Sequence, residues 1–399
     1  MSGNSKPRIA YFGHNRRDTA FTRRIHSFLD AGIDVATFTF RRDGEPKSPG
    51  PAWENTDLGH IEHANFFRRV GVYLRALQSI IRNRESIRGA DVIYARNLDI
   101  FLFALLATSS VTIRRRSPHS FVYECLDVHE ALTAPGAVGA VLRWAERRVL
   151  KKADLLVISS PGFINHYFCP TQRYGGPYFL VENKLYFGDK DVPRVSSSSF
   201  CSADSAKGTS DALTIGWIGI IRCQRTLDLL KALAVAQPED VFIRIVGSVS
   251  SFLIEDFEAQ IASIDNIVFE GPYDWPEGLA EAYRDVDLVW AQELSWSGFN
   301  SDWLIPNRVY EASYFGVPSL GVGDTETSRI ITERRLGYVL PEESAGLLID
   351  FICNLDPDAL EKKKRDLLNR PATDFVTTPA DTAALLGAID DARRKDGTN

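Results

Sequence analysis

Short apolar runs rich in β-branched and aromatic residues alternate with amphipathic stretches of helix length along nearly the whole chain, and the series occurs twice. The first comprises RIAYFG (8–13), DVATFTF (34–40), DVIYA (91–95), FVYECL (121–126), LLVIS (155–159) and YFLVEN (178–183). The second comprises LTIGWIG (213–219), FIRIVG (242–247), IVFEG (267–271), LVWAQ (288–292), SLGVG (319–323) and GYVL (337–340). Parallel strands need a crossover between them, so strands spaced by helix-length segments read as parallel sheets covered by helices. Residues 193–212, PRVSSSSFCSADSAKGTSDA, are serine-rich, poor in apolar residues and without periodicity, which is the composition of a linker. The expected fold class is therefore α/β, with two doubly wound, Rossmann-like domains facing a central cleft. The first spans 1–192 and the second 213–375, with 193–212 joining them and a helix-like segment in 376–399 crossing back to the first domain. In such sheets ligands bind beyond the strand C-termini.

With 399 residues, 44% of them hydrophobic, the chain is long enough for two separate cores. Its longest apolar run, IFLFALLA at 100–107, is far shorter than a membrane span, and MSGNSKPRIAYFG holds no long apolar signal region. Five scattered cysteines at 125, 169, 201, 223 and 353 show no CxxC spacing, which argues for reduced thiols in a cytoplasm. Seven histidines include no HxH or HExxH pattern, so no metal site is expected; GxSxG is absent as well. The net charge of −6 hides an asymmetry, because residues 1–190 hold 27 Lys and Arg against 18 Asp and Glu. Basic clusters stand at Arg68-Arg69-Arg75, Arg82-Arg84-Arg88, Arg114-Arg115-Arg116 and Arg147-Arg148-Lys151-Lys152. They suit either contact with anionic lipid or ordinary solvated helix faces; no aromatic-and-basic motif accompanies them to favour nucleic acid.

The stretch WLIPNRVYEASYFGVPSL (303–320) reads as a loop, a short helix and the strand behind it. Pro306 closes the turn and Gly316 with Pro318 ends the helix. Free N–H groups at such a helix start can hold a diphosphate, and Glu311, one turn inside, can accept hydrogen bonds from ribose hydroxyls. Asn307 and Arg308 fall in the diphosphate loop. In GWIGIIRCQRTLDLL, Gly219 ends the strand and Arg222 and Arg225 follow, two guanidinium groups suited to neutralising a diphosphate leaving group or to an ordinary surface. In the first domain Gly13 ends the first strand, where a residue without a side chain lets a ligand approach the backbone. Only one glycine is present there, which disfavours a nicotinamide dinucleotide; His14 and Asn15 follow as candidate donors. FVYECLDVHE delivers Glu124, Asp127, His129 and Glu130 at or past a strand end, with Glu124 expected in a packing role. Asp127 and His129 suit proton transfer and hydroxyl binding, while Asp127 equally suits a helix cap. Arg96, Asn97 and Asp99 occupy the corresponding end of DVIYA, and Asn15, Arg96 and Asn97 are expected on the acceptor side.

Taken together, GWIGIIRCQR, IVFEGPYDW, EASYFGVPSL and ERRVLKKADLLVISSPGFINHYF resemble the GT-B glycosyltransferases, particularly the family-four group known as "glycosyl transferases group 1", over nearly the whole chain. YARNLDIFLFALLA, VYECLDVHEAL and IPNRVYEASYFGVP are similar to the succinoglycan-biosynthesis type. The resemblance implies that Arg222 and Arg225 hold the donor diphosphate and that Glu311 binds ribose. The paired-glutamate motif of that family would place another Glu at position 303, which is Trp303, and the His expected before Asp127 is Leu126. The succinoglycan-type resemblance implies glucose transfer from UDP-glucose to a polyprenyl-diphosphate-linked oligosaccharide for exopolysaccharide, with inversion and Asp127 as general base. It also implies an enzyme peripheral to the inner face of the bacterial inner membrane, with the UDP-sugar as substrate and no resident cofactor or metal. Two other readings share the architecture. A UDP-sugar 2-epimerase would consume donor without acceptor, and a non-catalytic nucleotide-sugar-binding scaffold would bind donor without releasing nucleotide.

Overall fold

A computed structural model of the chain describes residues 7–41, 52–60, 66–111, 119–188, 190, 192–194 and 212–396. They form two compact units, one made of 1–182 with 377–399 and the other of 183–376.

The first unit is built on a seven-stranded sheet of β1 (Arg8–Gly13), β2 (Asp34–Arg41), β3 (Asn55–His60), β4 (Val92–Arg96), β5 (Ser120–Cys125), β6 (Leu155–Ile158) and β7 (Tyr178–Leu180). Their spatial order is β3-β2-β1-β4-β5-β6-β7, with every pairing parallel. Central strands buried on both faces read as continuous apolar runs, which is why five of them stand out in the sequence. β3, NTDLGH, is the exception. It is an edge strand with only Leu58 fully buried, so polar residues are tolerated and no apolar run announces it.

The helix Thr19–Asp30 starts at Asp18, whose Oδ1 accepts from Phe21 N at 2.8 Å, and it lays Phe21, Ile25 and Phe28 on the sheet. The last helix, Pro379–Asp396, adds Leu385, Ile389 and Ala392 to the same core.

The second unit carries a six-stranded parallel sheet of β8 (Leu213–Ile221), β9 (Val241–Val249), β10 (Ile267–Phe269), β11 (Leu288–Trp290), β12 (Ser319–Val322) and β13 (Gly337–Leu340), ordered β10-β9-β8-β11-β12-β13. Apolar clusters cover both faces, one around Trp217, Leu230 and Trp290 and the other around Val289, Tyr310 and Phe315. The chain enters this unit earlier than residue 193. Leu185 is fully buried in it and donates its N–H to Phe375 O at 2.9 Å, and Val192 O accepts from Tyr314 Oη at 2.6 Å. Arg194, expected in the linker, caps three carbonyls of this unit, those of Tyr314, Leu367 and Arg370. The serine-rich stretch 195–211 lies outside the described residues.

In both sheets one adjacent pair marks the place where the connections diverge: β1 beside β4, and β8 beside β11. Loops leaving such a pair run to opposite sides and open a crevice at the strand C-termini.

Candidate active site

At the crevice of the second unit, β8 ends through Gly219, which adopts φ +111° and above which a Cβ would meet nothing within 4 Å. Glycine is needed there for the dihedral, and it leaves the backbone open to a ligand. Its register partner Gly247 is fixed by a different constraint, since a Cβ there would stand 1.7 Å from Gly219 O.

Three residues on, Arg222 Nε donates to Glu293 Oε2 at 2.9 Å, and its guanidinium stacks 5.3 Å from the Trp296 ring. Glu293 also accepts from the Ser295 hydroxyl at 2.5 Å. Burial alone would raise the Glu293 carboxyl, but the Arg222 and Arg308 guanidinium groups hold it below its ordinary value. Arg308, in the helix Asn307–Tyr314, is 8% exposed. Its Nη2 reaches Ile220 O at 3.4 Å, while its buried Nη1 has no partner among the described residues. A buried guanidinium N–H without an acceptor is costly, and an anion supplied by a ligand would satisfy it.

One turn along the same helix, the buried Glu311 accepts from Tyr283 Oη at 3.1 Å. Burial and then the Glu311 charge push the Tyr283 phenol well above its ordinary value, so it remains a hydrogen-bond donor. Gly219, Arg222, Arg308 and Glu311 are therefore gathered about the β8–β11 crevice, with Asn307 at the helix start. Arg225 stands beside them, donating to Leu294 O at 3.2 Å, but its fork is already held by both oxygens of Glu343. Glu293 and Tyr283 are members of this site that sequence reasoning missed. The signal for Glu293 was a charged residue immediately past LVWAQ, at the end of a strand with no exposed position.

The first unit changes several expectations. Glu124 is fully buried and accepts from Tyr11 Oη at 2.6 Å, Tyr94 Oη at 3.0 Å, Arg96 Nε at 2.9 Å and Arg24 Nε at 3.3 Å. Burial opposes its ionisation, yet Arg96 and Arg24 together hold the carboxyl at about 2. Arg96 was expected to face an acceptor. Instead it is 5% exposed, with its remaining nitrogens donating to Asp18 Oδ1 at 2.7 Å and Tyr11 Oη at 3.0 Å, and it braces β1, β4 and β5 together.

Gly13 is likewise needed for packing, because a Cβ would stand 2.5 Å from the Phe21 ring. His129 is exposed and its Nδ1 accepts from Ala131 N at 3.1 Å, so the cap considered for Asp127 belongs to His129; Asp127 is also exposed. Asn15 closes a turn by accepting from Arg17 N at 2.8 Å. Asn97 sits at φ 65° with its Oδ1 buried and unpaired among the described residues. His14 and Asp99 meet directly: His14 Nε2 lies 2.9 and 2.8 Å from the two Asp99 oxygens. Among the described residues no group of His, Cys, Asp and Glu has the arrangement of a metal site.

Two units, each built on a parallel, doubly wound sheet, are the architecture of the GT-B class of glycosyltransferase folds. Solved structures share it across the chain. Sucrose-phosphate synthase from Thermosynechococcus elongatus superimposes with a TM-score of 0.69 at 13% identity, covering 99% of this chain and 100% of that one. Anabaena HepE in complex with UDP and glucose gives 0.67 at 12%, covering 96% and 100%. A glycosyltransferase from Rickettsia africae gives 0.65 at 12%, covering 97% and 99%. No protein-family model matches the sequence. The chain is 34% identical over 361 residues to the succinoglycan biosynthesis protein ExoL of Rhizobium meliloti (strain 1021), covering 90% of this chain and 88% of that protein, and it belongs to the ExoL family.

Proposed function

We propose that the protein is a glycosyltransferase that moves a hexose, glucose from UDP-glucose, onto a polyprenyl-diphosphate-linked oligosaccharide in exopolysaccharide assembly, with inversion at the anomeric carbon. The observation that carries this reading is the buried, unpaired Nη1 of Arg308 one turn before Glu311 and beside the open backbone of Gly219. That set supplies a charge for a diphosphate, an acceptor for ribose hydroxyls and room for close approach. Membership of the ExoL family supports the biosynthetic setting, and HepE, a protein of the same fold, is solved with UDP and glucose.

As the glycosyl bond breaks, negative charge grows on the departing UDP. Fixed guanidinium groups of Arg222 and Arg308 stabilise it without reorganisation, and the reaction as proposed uses no divalent cation. Inversion asks for a single base on the acceptor hydroxyl. The group proposed to take that proton is Asp127, past β5.

Contact with an anionic membrane surface is part of the proposal. No helix among the described residues is long and apolar enough to cross a membrane. The helix Ala137–Leu150, however, turns Val138, Val141 and Trp144 outward at 73%, 62% and 55% exposure. The Arg148 guanidinium lies 5.1 Å from the Trp144 ring, and exposed Lys151 and Lys152 follow. An apolar row with a tryptophan and cations at its end suits the headgroup layer of the cytoplasmic leaflet. Arg143 and Arg147 take no part, because they cap the carbonyls of Leu132, Ala134, Thr171 and Gln172. The side chains of Arg68 and Arg69, and residues 114–116, lie outside the described residues.

The test is nucleotide release from UDP-, GDP- and ADP-sugars with and without membranes of a polysaccharide-producing bacterium. UDP release from UDP-glucose only with membranes is the expected result. Isomerised UDP-sugar without acceptor would replace the reading by an epimerase, and tight UDP binding with no release from any donor would replace it by a scaffold.

A further inference from the structure

We infer that Tyr283 is a positioning residue of the donor site: it holds the Glu311 carboxylate away from Arg308, so that one helix can offer a cation to a diphosphate and an acceptor to a ribose. This rests on the glycosyl-transfer reading above and deepens it by naming the residue that lets the site read ribose hydroxyls. Arg308 and Glu311 stand three residues apart in the helix Asn307–Tyr314, a spacing at which side chains are neighbours. Both are buried, at 8% and 5% exposure, so water screens the attraction between them only weakly. Left alone they should close on each other. Among the described residues, however, Arg308 makes no ion pair with Glu311. Its Nη2 reaches Ile220 O at 3.4 Å instead, and its Nη1 meets no partner.

What turns Glu311 aside is Tyr283, the residue that follows the short helix Leu279–Ala282. Its hydroxyl donates to Glu311 Oε2 at 3.1 Å across 28 residues of sequence. Its buried ring is stacked on Phe315, at the C-terminal end of the helix that carries Glu311, with centroids 5.3 Å apart and planes at 16°. A ring clamped there does not follow the carboxylate; the carboxylate follows the hydroxyl. Burial and then the Glu311 charge raise the phenol while the Arg308 guanidinium opposes them, so the hydroxyl lies within the field of both charges. An ionised carboxylate only accepts hydrogen bonds and has sites for about four, so Glu311 bonded to Tyr283 still accepts from ribose. Without the hydroxyl, the buried carboxylate would take the guanidinium one turn back, and both groups would be lost to a ligand.

The experiment is titration calorimetry of the full chain with UDP, 2′,3′-dideoxy-UDP and inorganic pyrophosphate. Wild type should bind UDP about 10–100-fold more tightly than the dideoxy analogue, the worth of a hydrogen bond to a charged group. Tyr283→Phe keeps the ring on Phe315 and removes only the hydroxyl. It should cut that ratio at least about fivefold, toward the ratio of Glu311→Ala, and weaken pyrophosphate at least about threefold as Arg308 turns to Glu311. In a Glu311→Gln background no carboxylate is left to pair with Arg308, so adding Tyr283→Phe should leave pyrophosphate affinity within about twofold. A merely structural role would lower all affinities alike; a wild-type ratio in Tyr283→Phe, or a further loss of pyrophosphate binding in the Glu311→Gln background, would overturn the inference. Equal binding of UDP and the dideoxy analogue by wild type would overturn it alone and leave the transfer reading to the nucleotide-release test. No UDP binding by wild type would overturn both.

Discussion

Arg222 Nε donates to Glu293 Oε2 at 2.9 Å across 71 residues of sequence, tying the turn after β8 to the end of β11. The carboxylate orients the guanidinium and at the same time offsets part of its charge where a diphosphate would bind. Glu293→Gln keeps an oxygen for Arg222 and removes the negative charge. UDP should bind the variant at least about threefold more tightly at low salt, with the gain shrinking as ionic strength rises. Weaker binding at every salt concentration would show that orientation of Arg222, not charge, is what Glu293 supplies.

Arg308→Ala removes the one site guanidinium that is buried with an unpaired nitrogen. Loss of a charged hydrogen bond of about 1.5–3 kcal/mol should weaken UDP by about 10–100-fold. Arg308→Lys retains charge without the planar fork and should fall between. Titration calorimetry decides the matter, and unchanged affinity in Arg308→Ala would remove this residue from the donor site.

Two glycines should respond oppositely. Gly13→Ala pushes a methyl to 2.5 Å from the Phe21 ring, so it should lower stability by about 1–3 kcal/mol and leave UDP binding alone. Gly219→Ala meets no atom within 4 Å but must hold φ +111°, which should cost about 1–3 kcal/mol and also weaken UDP. Denaturant melts paired with calorimetry separate the two; weakened UDP binding in Gly13→Ala would contradict its assignment to packing.

Glu124 gives the first unit an acid-sensitive core. Its carboxyl ionises at about 2 in the folded protein against an ordinary 4.5, the attraction of Arg96 and Arg24 outweighing burial. The depressed value means that its stabilising contribution is complete above the unfolded value near 4.5 and is lost as pH falls toward 2. Glu124→Gln strands buried guanidinium charge and should lower stability by about 3–5 kcal/mol at pH 7. Its stability should then vary less than that of the wild type between those two pH values. Parallel stability-versus-pH curves for the two proteins would refute the ion network as the source.

The outward row on the helix Ala137–Leu150 predicts a penetration-dependent membrane contact. Val141→Asp or Trp144→Glu should reduce co-sedimentation with vesicles of anionic phospholipid several-fold, even at a salt concentration that screens Arg148, Lys151 and Lys152. Wild-type binding abolished by salt alone, with both substitutions silent, would reduce the contact to electrostatics.

The strands were legible wherever burial on both faces wrote an apolar run, as in DVATFTF and LTIGWIG, and illegible in NTDLGH, where an edge position lets polar residues stand. The placement of Arg222 after a strand, and of Arg308 and Glu311 in a helix that starts at Asn307, was readable. Their partners were not. Arg222 meets Glu293 and His14 meets Asp99 only because β8 lies beside β11 and β1 beside β4, adjacencies that close 71 and 85 residues of chain. Gly13 and Arg96 misled for a related reason: a residue type suited to a ligand is equally suited to a ring or a buried carboxylate, and spacing along the chain does not say which is overhead.

Because Leu385, Ile389 and Ala392 belong to the core of the first unit, that unit is split around all of the second. A ribosome making this protein delivers Ile9, Tyr11 and Tyr94 long before the helix that completes their packing. The second unit has its described strands and both apolar clusters in hand by residue 376 and can close during synthesis, whereas the first must wait for the helix Pro379–Asp396. A stop before Pro379 would therefore strike the unit whose strands are made first.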